Sequence, residues 1–165
     1  MDVNSGAIWY TFDMQVAIPT QEAMHQFGVL LGQAIHGGDV VELVGDVGAG
    51  KTTLTKSLAK GMGITDDVQS PTFTLSRIYE SGDTRRLAHY DFYRLQDAGI
   101  LSAELRESVE DSSVVTVVEW ADIVQGALPR DRLTVTIRPT SEESRQLQIE
   151  SGGPLSQRLL EEIER

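Results

Sequence analysis

Eight consecutive residues, Gly45-Asp46-Val47-Gly48-Ala49-Gly50-Lys51-Thr52, carry the clearest chemistry in this chain. They satisfy the pattern G-x-x-x-x-G-K-[ST] at every fixed position, and each fixed position has a physical reason. Small residues let the backbone curl around a phosphate with successive N–H groups turned inward. A helix beginning near Lys51 adds the positive end of its dipole. The Lys51 ammonium then reaches the β- and γ-phosphates of a nucleotide, and the Thr52 hydroxyl binds Mg2+. The bland alternative is a glycine-rich turn that binds nothing.

A phosphate loop of this kind needs a further carboxylate to complete the metal site and to position water. Asp91 closes the run Leu87-Ala88-His89-Tyr90-Asp91, and Glu119 closes Val114 to Val118. An acid at the end of a buried strand stands at the carboxyl edge of the sheet, where α/β proteins bind ligands. Which of the two holds the metal and which orients water stays open at this point. Strand alternation puts His89 on the same face as Asp91, either as part of the site or as a core histidine. Trp120 is either a nucleotide or partner contact, or a rim aromatic.

The surrounding elements must bring these residues together. Residues 1–7 read as a loose lead and Ile8 to Ile18 as holding a short strand. Pro19-Thr20 starts a helix with Thr20 as N-cap, and Met24, Phe27, Leu31 and Ala34 recur at helical spacing before Gly37-Gly38. Val40 to Val44 reads as a buried strand, and Leu54, Leu58 and Met62 mark a second helix ending at Gly61 or Gly63. Phe73 to Tyr79 and Arg86 to Phe92 flank a Ser81-Gly82-Asp83 turn, which predicts a hairpin. A short helix is expected from Ala98 to Arg106, and a strand buried on both faces over Val114 to Val118. Leu133 to Ile137 alternates, Arg145 to Glu150 can pair with it, and Pro154 to Glu164 closes the chain as a surface helix. Strands alternate with helices early and pair antiparallel late, which predicts a three-layer α/β domain with a mixed parallel and antiparallel sheet. The expected organisation is one phosphate-loop domain over 1–165, with 139–165 an acidic extension packed on it.

Composition narrows the function classes. The 165 residues are 40% apolar and 24% charged, the profile of one soluble domain. No apolar run reaches membrane-spanning length, and the first ten residues lack the basic start of a secretory signal. With no cysteine, disulfides, thiolate metal sites and cysteine nucleophiles are excluded, which fits a cytoplasmic location. The formal net charge of −11 opposes a broad grip on nucleic acid, so any RNA is expected to be held by another protein.

Four motifs in one order carry a resemblance. They are Gly45 to Thr53, Ser70-Pro71-Thr72-Phe73-Thr74-Leu75, His89-Tyr90-Asp91-Phe92-Tyr93-Arg94-Leu95, and Val118-Glu119-Trp120. From about Pro19 to Trp120 the chain resembles the TsaE (formerly YjeE) family, small bacterial ATPases of the tRNA threonylcarbamoyladenosine pathway. The resemblance implies ATP and Mg2+ as ligands, weak hydrolysis alone, and association with TsaD and TsaB. That pair transfers threonylcarbamoyl to the adenosine 3′ of the anticodon in tRNAs reading codons that begin with A.

The resemblance also assigns roles. Lys51 and Thr52 match the phosphate lysine and metal threonine, Glu119 a metal ligand, and Asp91 an acid required in the site. Trp120 matches a nucleotide-contacting aromatic. Ser70, Pro71, Thr72 and Phe73 match one switch-like segment, and His89, Tyr93 and Arg94 fall in a second. Two hydroxyls beside a stiff proline suit a γ-phosphate sensor, whereas an ordinary Ser-Pro turn is the plain alternative. Adenine contacts are expected near Pro19 and Thr20, although Met24 stands where many relatives carry a threonine. No motif follows Arg138. Two other functions compete: a small-molecule kinase, for which Arg85, Arg86 and Arg94 form no obvious lid, and a non-catalytic ATP-binding switch.

Overall fold

The structure, a computed structural model, describes residues 13–165. The expected lead at 1–7 and the part of the first predicted strand before Asp13 lie outside the described residues. The chain runs β1 (Asp13–Ile18), α1 (Gln21–Ala34), β2 (Val40–Val44), α2 (Lys51–Gly61), β3 (Ser76–Glu80), β4 (Arg86–Asp91) and α3 (Ile100–Glu110). It continues through β5 (Val114–Glu119), a 3-10 helix over Ala121–Ala127, β6 (Leu133–Pro139), β7 (Arg145–Ser151) and α4 (Pro154–Ile163).

The strands form one seven-stranded sheet in the order β1-β7-β6-β2-β5-β4-β3. The central four, β6, β2, β5 and β4, are parallel. Antiparallel partners close the two sides, β3 on β4, and β7 then β1 beyond β6. Alternation along each strand divides the side chains between two cores. Val41, Leu43, Leu87, Val115 and Val117 pack with Leu31, Leu54, Leu58 and Leu159 beneath α1, α2 and α4. Val40, Ala88, Tyr90, Val114 and Val118 turn the other way, against Leu105 of α3 and Val124 of the 3-10 helix. The result is the predicted three-layer α/β architecture with a mixed sheet.

Helix α2, which must aim the phosphate loop, is fixed by close packing. A Cβ placed on Gly32 of α1 would stand 2.0 Å from the Leu58 carbonyl oxygen and 2.9 Å from the Gly61 Cα. Only glycine permits that approach, so α1 sets the pose of α2 through its backbone. Truncating a wholly buried leucine here, such as Leu31 or Leu54, would cost roughly 2–5 kcal/mol.

Several boundaries differ from the sequence expectation. Phe73 is not in a strand: residues 72–74 form a turn, Leu75 has φ of 68°, and β3 starts only at Ser76. The first helix ends at Ala34, before its two glycines, because Ile35 leaves helical geometry with extended backbone and drops into the core. The third helix is displaced to Ile100–Glu110, and the 3-10 helix after Trp120 has no counterpart in the sequence reading. The terminal helix has one face in the core through Leu159, Leu160 and Ile163. Asp131 caps it from afar, accepting from the Leu155 and Ser156 backbone N–H groups at 2.8 and 2.9 Å. Among the described residues no helix is long and apolar enough to cross a membrane.

Candidate active site

The carboxyl ends of β2, β4 and β5 meet at one edge of the sheet, and the Gly45–Gly50 loop arches from β2 into α2 there. Gly50 occupies the N-cap of α2 with φ of 116°, a left-handed conformation that side chains resist. No side chain caps this helix, so its first N–H groups remain for an external anion.

Lys51 is 5% exposed. Its Nζ donates to the carbonyl oxygens of Gly45 and Asp46 at 2.6 and 2.9 Å, inside its own loop. Burial pushes the ammonium below the ordinary lysine pKa, while the charges of Glu119, Asp91 and Asp46 oppose that shift. Nζ also lies 4.5 Å from the centre of the Trp120 ring. Trp120 in turn packs on Tyr93 with centroids 4.9 Å apart, and the Arg94 guanidinium sits 4.9 Å over Tyr93. Trp120 and Arg94 both hold positive φ, at 56° and 64°. Together with Leu75 they place three strained non-glycine residues around one edge, a pattern typical of functional sites.

The register of β4 against β5 sets Asp91 beside Glu119. Both are buried, 3% and 2% exposed, and both lie on the α2 face of the sheet with His89. Asp91 is fully engaged. Its Oδ2 accepts from the Ser70 and Thr72 hydroxyls at 3.0 and 2.9 Å, and its Oδ1 from the Tyr93 backbone N–H at 2.9 Å. Glu119 is engaged on one side only among the described residues, its Oε1 lying 2.8 Å from His89 Nε2. The second ring nitrogen of His89, in a wholly buried side chain, has no partner among the described residues.

A cavity of about 340 Å3 brings together Lys51, Thr52, Ser70, Thr72, Asp91, Tyr93, Glu119 and Trp120 along with loop residues Val47, Gly48 and Gly50. A neighbouring cavity of about 540 Å3 shares Gly48, Gly50 and Thr53 with it and continues to Thr20, Met24, Glu142, Glu143 and Arg145. Thr20 is the expected N-cap of α1, accepting from the Ala23 N–H at 3.1 Å, and it lines this second cavity. Two of the expected switch residues line neither cavity and are exposed, Phe73 at 99% and Arg94 over the Tyr93 ring, while Pro71 is buried beneath the turn. Arg85 and Arg86 lie at the opposite edge of the sheet, paired with Asp83 and Asp111. The hairpin residues Glu142, Glu143 and Arg145 carried no sequence signal.

No group of three His, Asp or Glu side chains among the described residues forms a metal site alone. A Mg2+ ion held through one or two carboxylates, a hydroxyl and nucleotide oxygens needs no such cage. The free side of Glu119 and the Thr52 hydroxyl lining the same cavity suit that arrangement.

Comparisons with known proteins agree with this geometry. A family described as "Threonylcarbamoyl adenosine biosynthesis protein TsaE" matches residues 18–147. The chain is 40% identical to the tRNA threonylcarbamoyladenosine biosynthesis protein TsaE of Bacillus subtilis over 129 residues, 78% of this chain and 79% of that one. It is 41% identical to the TsaE of Streptomyces coelicolor over 115 residues, 69% of this chain and 78% of that one. The crystal structure of Bacillus subtilis YdiB superposes with a TM-score of 0.79 at 29% identity, covering 95% of this chain and 97% of that one. The chain therefore belongs to the TsaE family of tRNA threonylcarbamoyladenosine biosynthesis proteins.

Proposed function

We propose that this chain is the Mg2+-dependent ATPase of a TsaB–TsaD–TsaE system, cytoplasmic, slow alone and stimulated by its partners. It supports threonylcarbamoyl modification of the adenosine 3′ of the anticodon in tRNAs reading codons that begin with A. One observation carries the ATPase reading: an uncapped helix start, Lys51 and two adjacent buried carboxylates face one cavity. The net charge of −11 supports leaving the tRNA to TsaB and TsaD. The whole chain works as one domain, the β6–β7 hairpin and α4 included.

The loop N–H groups and the α2 N-terminus bind the polyphosphate. Thr52 and Glu119 would hold Mg2+, which would supply neutralisation of charge on the phosphoryl group. Lys51 exchanges the Gly45 and Asp46 carbonyls for β- and γ-phosphate oxygens. His89 fixes one Glu119 oxygen and leaves the other to the metal. Asp91, steadied by the Tyr93 N–H, trades a Ser70 or Thr72 hydroxyl for water and orients that water toward the γ-phosphorus. The new P–O bond forms as the bond to the bridging oxygen breaks; the electron pair leaves on ADP, and the proton of the attacking water passes to an oxygen of the released phosphate.

The same Asp91 contacts favour one second reading, a switch in which ATP binding alone reorders the 70–72 segment. Glu119→Gln and Asp91→Asn separate the two. Hydrolysis should fall by at least about a hundredfold in each while ATP still binds, and tRNA modification should be lost. Retained modification in a variant that binds but does not hydrolyse ATP would favour the pure switch.

A further inference from the structure

The β6–β7 hairpin has no motif, yet it reaches the phosphate loop. Arg145, the first residue of β7, pairs across the sheet with Pro139 of β6 and Ile18 of β1. Its Nε donates to the Ala49 carbonyl oxygen at 2.9 Å. Its Nη1 stands 3.2, 3.1 and 2.9 Å from the carbonyl oxygens of Ser141, Glu142 and Ser144. One planar fork therefore ties the hairpin turn to the phosphate loop, a geometry that a lysine cannot reproduce.

The consequence for the loop follows from peptide planarity. In a trans peptide the carbonyl of one residue and the N–H of the next point in opposite directions. Holding the Ala49 carbonyl toward β7 therefore directs the Gly50 N–H away from β7. Gly50 is the N-cap of α2: its carbonyl accepts from the Leu54 N–H at 2.9 Å, but its own N–H has no intrahelical partner to fix the preceding peptide plane, and with no Cβ it can take several orientations there. Ala49 is 1% exposed, so with Arg145 in place this bond is shielded from water. Lys51 anchors the other end of the loop through Gly45 and Asp46, but in the hydrolysis scheme that anchor is surrendered to phosphate. Arg145 keeps its anchor throughout.

We propose that Arg145 is a positioning residue for the nucleotide phosphates: it sets the Ala49–Gly50 peptide so that the Gly50 N–H is presented to the bound polyphosphate. It also joins the loop to the hairpin wall of the cavity of about 540 Å3 that it lines. The proposal rests on the ATP-site reading above.

The experiment uses the full chain with Arg145→Met and Arg145→Lys. ADP and ATP affinities are read by calorimetry, and the Gly50 amide resonance by NMR without nucleotide. R145M should weaken ADP and ATP by the same factor, about tenfold, the equivalent of one charge-assisted hydrogen bond. The rate at saturating ATP should stay within about twofold, because the loop grips ground state and transition state alike. R145K should lose about threefold, and the Gly50 resonance should move in both variants. A purely structural role would lower the melting temperature and leave the affinities of the folded protein and the Gly50 resonance where they were. That result overturns the proposal, as does a fall in rate without a fall in affinity. If R145M does not fold, R145K decides on the same readouts. If the wild-type chain binds neither nucleotide, the ATP-site reading fails, and the nucleotide-free Gly50 resonance still decides whether Arg145 orients the peptide.

Discussion

The two edges of the parallel sheet use the same residue types in opposite ways. At the amino edge three arginines are held in ion pairs, Arg158 with Asp39 at 2.6 Å, Arg86 with Asp111 at 2.7 Å, and Arg85 with Asp83 at 2.7 Å, and of these six only Asp39 is buried. At the carboxyl edge Lys51, Asp91 and Glu119 are all buried, yet Lys51 makes no ion pair among the described residues and is satisfied by loop carbonyls. Asp91 is held by two hydroxyls and one backbone N–H. Neutral partners release a charge more cheaply than an ion pair does. One edge is thus built to stay closed and the other to exchange its contacts for a ligand. Placement on the sheet, not composition, separates them.

The sharpest way to break the comparison is Lys51→Ala. ATP binding should fall by at least about a hundredfold, while the melting temperature moves by only a few degrees, because the substitution removes a desolvated charge as well as its bonds. A collapse of the fold, seen by calorimetry, would make this lysine structural and erase the distinction between the edges.

Asp39→Ala should do the reverse. It leaves Arg158 and the His36 N–H without their partner, and removing one member of a buried pair is costly. With Arg158 29% exposed, the loss should fall below the roughly 3–5 kcal/mol of a fully buried pair, at about 2 kcal/mol, or roughly 4–8 °C in melting temperature. ATP affinity of the folded protein should stay within about twofold. A large loss of affinity without loss of stability would show that the edges are coupled.

The smallest effect concerns pH. Hydrogen bonds from the Ser113 hydroxyl and backbone N–H, with Arg86 nearby, hold Asp111 below its ordinary value of 3.8. A carboxylate with a lowered folded pKa stabilises above its unfolded pKa and loses that stabilisation as pH falls through the folded one. Asp111→Asn should therefore be less stable than the wild type near pH 7, with the gap closing below about pH 4. A gap that is constant from pH 7 to 3 would mean that the charge is irrelevant there.

Much of this contrast was legible in the sequence, for reasons that can be located. The phosphate loop announces itself because each position faces a local backbone demand, as at Gly50. Asp91 and Glu119 were found because each ends an apolar run, and alternation correctly placed His89 beside them. Interactions between distant segments left no such trace. Arg145 reads as one arginine in a polar stretch, and only the fold brings it to Ala49, 96 positions away in sequence. Phe73 to Leu75 looked like strand by propensity, but the Asp91 contacts with Ser70 and Thr72 pull that segment into a turn. The cap on α4 was equally hidden, since Asp131 precedes that helix by a whole hairpin.

If the carboxyl edge hydrolyses ATP in the service of a partner complex, turnover must depend both on Lys51 and on the partners. The direct test is ATP hydrolysis by the purified chain, alone and with TsaB and TsaD from the same organism, with Lys51→Ala as control. Turnover should be slow alone, strongly stimulated by the pair, and lost in both conditions in the control. Equal turnover with and without the pair would contradict the partner-dependent reading, and hydrolysis that survives Lys51→Ala would contradict the site itself.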